Sequence, residues 1–152
     1  MEFSIRPFDI SFLDEVCEIE NISFSVPWSK NSFEDCFKNR LMDFLVATCE
    51  NDKGEMCTAG YIVTLTLPPE CEILNIAVSV QFRRQGIAEK LISYVTQRAA
   101  EQRCDKLMLE VRESNLAART LYEKLGFYSV GRRKGYYSNP VEDAVLMDKS
   151  LE

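Results

Sequence analysis

The feature that most constrains the fold is a strand that runs through a basic, glycine-containing turn directly into an amphipathic helix. Residues 72–78 are rich in apolar side chains, residues 79–86 hold two arginines and a glycine, and apolar residues then recur at helical spacing to about residue 101. A further strand at 106–111 and a helix at 116–125 follow. Strands that alternate with helices in this way predict a mixed α/β fold with one main sheet.

The rest of the chain supplies more short strands and two helices. Predicted strands cover residues 4–8, 44–48, 59–67, 130–133 and 144–147, and predicted helices begin after Ser11 and Ser29, each capped by that serine. Gly126 fits the left-handed position that ends a helix, with Phe127 folding back on the last turn. No repeat or linker-like stretch interrupts the sequence, so we expect one domain, residues 1–152.

Composition narrows the possible chemistry. The chain has no histidine, which removes Ser-His and Cys-His nucleophile pairs and histidine metal sites, and no metal is expected. The net charge of −6 disfavours direct nucleic-acid and anionic-membrane binding and would favour a basic partner. Neither a membrane span nor a signal peptide is recognisable, so a cytoplasmic protein is expected.

The six cysteines follow no metal-binding or redox motif. None forms a Cys-x-x-Cys pair, so reduced thiols are expected. No cysteine shows the sequence context of a nucleophile, so a covalent cysteine intermediate is not expected. Proton transfer would therefore rely on glutamate, aspartate, tyrosine, lysine or water.

The turn that joins the strand at 72–78 to the following helix is suited to phosphate. A helix N-terminus offers free N–H groups and partial positive charge, and Arg83 and Arg84 add to that charge. Gly86 and the small Ala88 allow a ligand to approach the backbone closely. The turn fits neither the Walker nor the Rossmann pattern, and an ordinary surface turn before a core helix remains an alternative.

A glutamate lies inside the strand at 106–111. Alternation places Leu107, Leu109 and Val111 on one face and Met108 and Glu110 on the other. A carboxylate there is costly if that face is dry, but it suits a face that opens on a reacting amine. A solvated side chain or an ion pair are the alternatives.

At these residues the chain resembles the GCN5-related N-acetyltransferases. Arg83-x-x-Gly86-x-Ala88 matches the glycine turn of that family, and the stretch from Asn75 to Val78 matches the strand before it. The resemblance implies a mostly antiparallel central sheet flanked by helices, and acetyl-CoA as the co-substrate with its pyrophosphate on the turn. It implies that the co-substrate is held by Ile76, Ala77, Val78, Arg84, Gln85, Gly86, Ile87, Ala88 and Glu89. Backbone N–H near Val78 could then stabilise the oxyanion.

Residues 109–127, LEVRESNLAARTLYEKLGF, resemble more specifically the RimI branch of that family, as do Pro27-Trp28-Ser29 and the pair Tyr136-Tyr137. Those bacterial enzymes acetylate the N-terminal alanine of a small-subunit ribosomal protein. The resemblance implies Glu110 as general base, Tyr122 as general acid and Asn115 as a co-substrate contact. From the pattern alone, Asn115 could equally cap its helix and Tyr122 could be a core residue.

Two other functions stay open at this stage. The same fold could act on another amine, such as a lysine side chain, a polyamine or a small metabolite. A catalytically dead module that binds acetyl-CoA is a different class, against which the presence of both Glu110 and Tyr122 argues. Residues 21–40 and the segment around Tyr136 are expected to wall the acceptor site. Trp28, Tyr136 and Tyr137 would then line it, and the alternative is that they are simply half-buried aromatic residues.

Overall fold

The computed structural model describes residues 2–152 and contains seven strands and four helices. The strands are β1 Ser4–Pro7, β2 Met42–Glu50, β3 Met56–Leu67, β4 Glu70–Val78, β5 Lys106–Arg112, β6 Tyr128–Tyr137 and β7 Glu142–Ser150, and the helices are α1 Leu13–Ser23, α2 Lys30–Lys38, α3 Ile87–Glu101 and α4 Leu116–Lys124. All the predicted elements are confirmed. Most of the strands are longer than predicted because cross-strand pairing carries them into polar flanks.

The strands form one sheet in the order β1-β2-β3-β4-β5-β7-β6. Every neighbouring pair is antiparallel except β4 and β5, which run parallel. Their ladder joins only Glu70 to Lys106, Cys71 to Leu107 and Glu72 to Met108. Because β4 continues to Val78 and β5 to Arg112, the two strands leave each other and open a gap in the middle of the sheet.

Both faces of the sheet are covered by helices. Buried residues of α3 and α4, including Leu91 and Tyr122, share one core cluster with Leu109 of β5. On the other face, Val16 of α1 and Phe33 of α2 pack against the strands in a second cluster. None of the helices within residues 2–152 is long and apolar enough to cross a membrane.

Helix ends confirm three predictions and correct one. The Ser29 hydroxyl accepts the Ser32 N–H at 3.1 Å, and Gly126 has a φ of +99°. Phe127 folds back as predicted, its N–H donating to the Tyr122 carbonyl. The prediction of Ser11 as an N-cap is wrong. The Asp9 carboxylate accepts the Ser11 N–H at 2.8 Å and caps a 3-10 turn that precedes α1, because a carboxylate also favours the positive end of a helix.

Candidate active site

The gap between β4 and β5 brings together the polar side chains of the candidate site. Along β5 the odd-numbered residues from Leu107 to Val111 are buried and the even-numbered ones are partly exposed, as alternation predicted. Glu110 therefore lies on the face that carries α1 and α2. Glu72 of β4 pairs with Met108, two residues before Glu110, and lies on the same face.

The Glu110 carboxylate is held by an ion pair. Arg133 of β6 places its Nε 2.9 Å from the Glu110 Oε1, and the glutamate side chain is only 18% exposed. The Arg133 guanidinium also lies over the Tyr136 ring, 5.3 Å from its centroid. The ion pair, one of the alternatives from sequence, is thus present. The partly open face that base chemistry needs is present as well.

Glu72 is a second carboxylate that the sequence analysis missed. Burial, and then the negative charge of Glu110, raise the pKa of Glu72, whereas Arg133 opposes that change. The available signal was the same one that singled out Glu110: a charge inside a strand, here between the buried Cys71 and Ile73. Two carboxylates near one guanidinium give this face a capacity to accept a proton.

Tyr122 approaches from the opposite face of the sheet. Its side chain is 8% exposed, and burial raises its pKa to about 12, so the phenol stays protonated at neutral pH. Its hydroxyl forms no hydrogen bond with the residues that the structure describes. Burial, and then the charge of Glu110, raise the pKa of Tyr137 to about 12, and Tyr122 adds a smaller effect. Glu110 and Tyr122 thus lie on opposite faces of the sheet.

The turn before α3 has the geometry of an anion cradle. Gly86 has a φ of +78° and Arg84 a φ of +64°, so the backbone turns sharply into the helix. The N–H of Lys90 is the first to donate back to Gly86, which leaves the earlier N–H groups of the helix free. A Cβ at Gly86 would meet nothing within 4 Å, so the space is open to a ligand. Arg83 donates to the Val78 carbonyl at 3.2 Å and fixes the turn.

Strand β4 presents backbone groups to the gap. Its ladder with β3 shifts register between Val63 and Thr64, a bulge that re-aims the strand before Ile76. After the bulge, Ile76 and Val78 pack toward α3 and Ala77 toward the other face. In this part of β4, half of the backbone N–H and C=O groups bond to β3. The other half point toward β5, with which β4 no longer pairs beyond Glu72. This edge and the turn together fit an extended ligand that carries phosphate.

Asn115 uses its side chain locally. Its Oδ1 accepts the Ala118 N–H at 3.2 Å, which caps α4. The cap, one of the two alternatives from sequence, is therefore present. A contact with the co-substrate stays a prediction.

A buried carboxylate lies behind the site, and sequence reasoning missed it. Glu20 of α1 is 1% exposed and accepts hydrogen bonds from the Tyr61 hydroxyl, from Asn75 Nδ2 at 2.8 Å and from the Trp28 N–H at 2.8 Å. Through Trp28 and Asn75, the Glu20 carboxylate joins the segment between α1 and α2 to β4. Asn75 is the residue before Ile76. A glutamate within an apolar helix face was the only local signal.

The cysteines remain thiols. All six are free, and burial raises the pKa of Cys17, Cys36, Cys49, Cys71 and Cys104. A raised pKa keeps each thiol protonated and weakly nucleophilic. A cavity of about 340 Å³ lies between α1 and residues 79–81, and neither Glu110 nor Tyr122 lines it.

Comparison with known proteins decides the family. The sequence pattern of the Acetyltransferase (GNAT) family matches residues 13–127, most of the chain. The chain belongs to the GNAT family. A GNAT relative from Bacillus subtilis (strain 168) is 36% identical over 145 residues, which are 95% of this chain and 93% of that protein. An Escherichia coli (strain K12) relative named ribosomal protein bS18-alanine N-acetyltransferase is 31% identical over 146 residues, covering 95% of each chain.

The fold agrees with that membership. The crystal structure of the ribosomal-protein-S18-alanine N-acetyltransferase from Escherichia coli superimposes with a TM-score of 0.87 at 28% identity, covering 99% of this chain and 95% of that one. The predicted resemblance to GNAT enzymes of the RimI branch is confirmed. The chain is accordingly an acetyltransferase.

Proposed function

We propose that this chain transfers the acetyl group of acetyl-CoA to the N-terminal α-amino group of a protein, with alanine as the first residue and a small-subunit ribosomal protein as the substrate. The observation that carries the proposal is the end-to-end similarity to enzymes named for that activity, including the Escherichia coli protein. We propose further that the chain acts as a single domain in the cytoplasm.

Acetyl-CoA supplies the acetyl group as a thioester. The turn from Arg84 to Glu89 would hold its pyrophosphate, since Gly86 leaves the helix N-terminus open and free of a side chain. The free backbone edge of Ile76 to Val78 would pair with its extended arm. Strand geometry supports this fit, because the β4–β5 ladder ends at Glu72 and β4 continues to Val78 with none of the described strands paired on that side.

Glu110 and Tyr122 would carry out the two proton transfers. As the acceptor nitrogen bonds to the acetyl carbon and the carbon–sulfur bond breaks, Glu110 accepts the proton that the amine loses, directly or through water. Tyr122, protonated because burial raises its pKa to about 12, gives its proton to the departing sulfur. Proton exchange with water then restores both side chains. A backbone N–H near Val78 would stabilise the oxyanion.

The pKa of the acceptor favours an α-amine. An α-amino group titrates near 8 and a lysine near 10.4, so deprotonation at pH 7 costs about 1.4 kcal/mol for the former and about 4.6 kcal/mol for the latter. A site with carboxylates and no histidine suits the less demanding proton removal.

The test uses short peptides that differ only at the first residue, together with an alanine peptide whose N-terminus is blocked and whose only free amine is a lysine. Acetylation is read by mass after incubation with acetyl-CoA. We expect strong preference for a free N-terminal alanine. Turnover on lysine or on small amines instead would overturn the substrate class, and tight acetyl-CoA binding with no turnover on any amine would indicate a binding module.

A further inference from the structure

One guanidinium at the end of β5 joins two separate loops. Arg112 lies two residues after Glu110 on the same face of the strand, and its side chain is 24% exposed. Its Nη2 donates to the Ser138 carbonyl at 2.7 Å and faces the Ser25 hydroxyl at 3.4 Å. Its Nη1 donates to the Pro140 carbonyl at 3.0 Å.

Two more contacts complete the arrangement. Nη1 also donates to Glu142 Oε1 at 3.2 Å, and the guanidinium lies 4.6 Å from the centroid of the Tyr137 ring. Glu142 in turn accepts the N–H of Ser114. The carbonyls of Ser138 and Pro140 belong to the turn between β6 and β7, beyond the last ladder pair of Tyr137 with Glu142. Arg112 therefore donates hydrogen bonds to two backbone carbonyls that have no partner among the described strands of the sheet.

The two joined loops flank the face on which Glu110 lies. One is the segment between α1 and α2, which carries Trp28 and the exposed Val26. The other is the β6–β7 turn, which carries the exposed Val141 and lies just after the exposed Tyr136 near the end of β6. Because both are fastened to one side chain of β5, their separation is set by that side chain.

We propose that Arg112 is a positioning residue that fixes the two walls of the acceptor opening, and so determines how tightly and how selectively a polypeptide N-terminus is held. It does not touch the reacting atoms. The proposal rests on the proposed function, since the acceptor is taken to be a polypeptide that extends between these walls.

The arrangement requires arginine. Both Nη atoms of the planar guanidinium donate hydrogen bonds, and one face of the guanidinium lies against the Tyr137 ring. A lysine keeps the charge but offers one nitrogen, which cannot span the Ser138 and Pro140 carbonyls and stack on Tyr137 together. Arg112→Lys is therefore the informative variant.

Arg98 provides a matched control. It is a partly exposed arginine whose Nε and Nη2 both donate to Asp43, at 3.2 and 3.0 Å, and it joins α3 to β2 away from the gap. Arg98→Lys breaks a comparable paired contact. Any general effect of losing such a contact on folding is common to both variants.

The experiment measures steady-state kinetics with an N-terminal alanine peptide and with alaninamide, an acceptor too short to reach both walls. For Arg112→Lys we expect the KM of the peptide to rise about tenfold, the loss of one charge-assisted hydrogen bond, with weaker discrimination between first residues. The KM of acetyl-CoA and the kcat/KM for alaninamide should stay within about twofold of the wild type. Arg98→Lys should leave all these values unchanged.

Two results would overturn the positioning role: equal losses with peptide and alaninamide, or a peptide KM unaffected by Arg112→Lys. Failure of the proposed function has a different signature. The wild type would then prefer another amine over the N-terminal alanine peptide, whereas failure of the positioning role leaves that preference of the wild type intact. If Arg112→Lys is too unstable to assay, Ser25→Ala, which removes only the contact to the α1–α2 segment, should weaken peptide binding in the same direction.

Discussion

The Arg133 Nε lies 2.9 Å from the Glu110 Oε1, so the carboxylate beside the gap is paired with a cation from β6 before any amine arrives. The side chain of Arg133 is 57% exposed, and the pair can open toward solvent. An incoming acceptor would approach a carboxylate that the ion pair already holds in place. Glu72 is influenced by the same guanidinium.

Replacing Glu110 by glutamine should remove the base while preserving shape. We expect kcat to fall by roughly 10²–10⁴-fold, the usual contribution of a positioned general base. Acetyl-CoA binding, measured by calorimetry, should be unchanged because the turn at Gly86 is not involved. Glu113→Gln, an exposed neighbour that pairs with Arg132, is the control, and turnover that survives Glu110→Gln would show the base to be elsewhere.

Replacing Arg133 by methionine should change the pH dependence of the reaction. Burial and the charge of Glu110 already raise the pKa of Glu72, and Arg133 opposes this. Without the guanidinium, Glu72 holds its proton to higher pH. If Glu72 shares in accepting the amine proton, as the second carboxylate on the face of Glu110, the acid limb of the kcat/KM profile moves to higher pH. The profile of Lys134→Met, a neighbouring cation on β6, should stay in place.

Tyr122→Phe should lower kcat by about 10²-fold, because the departing thiolate loses its proton donor. The wild-type pH profile adds a second check. An exposed tyrosine would lose its proton near its ordinary value of 10, whereas burial raises the pKa of Tyr122 to about 12. Loss of activity with a midpoint near 10 that disappears in Tyr122→Phe would contradict this assignment.

Glu20→Leu should destabilise the fold strongly. The Trp28 N–H, the Tyr61 hydroxyl and the Asn75 amide would all lose their buried acceptor. We expect the free energy of unfolding in urea to fall by about 3 kcal/mol or more. The exposed Glu18 on the same helix is the control: Glu18→Leu should change that free energy by no more than about 0.5 kcal/mol.

Glu142 should make stability depend on pH. Hydrogen bonds from Ser114, and then from Arg112, hold the pKa of this carboxyl below its usual value. A lowered folded pKa means that its contribution is fully present above the unfolded value and is lost as pH falls through the folded one. Wild type and Glu142→Gln should therefore differ most near neutral pH and converge in acid. A difference in the free energy of unfolding between the two proteins that grows as the pH falls would contradict the lowered pKa of Glu142.

Features that depend on residues close together in the sequence could be predicted from it, and features that depend on distant residues could not. Helices and strands followed from local periodicity, and alternation alone placed Glu110 opposite Leu109 and Val111, as the burial of β5 confirms. The Ser11 cap was wrong because the Asp9 carboxylate, two residues earlier, accepts the N–H of Ser11 itself and starts a 3-10 turn, so that α1 begins only at Leu13. The catalytic roles of Glu110 and Tyr122 came from resemblance to a family and stay predictions.

The sequence by itself determined the elements, the family and the residues of the glycine turn before α3, because each depends on contiguous residues. The tertiary structure alone decided where β4 and β5 separate, and which partners meet there. Arg133 reaches Glu110, and Arg112 reaches Ser138, only once β6 and β7 have paired beside β5. Contacts of this kind join residues far apart in the chain, so no local pattern specifies them; the order of strands in the sheet does.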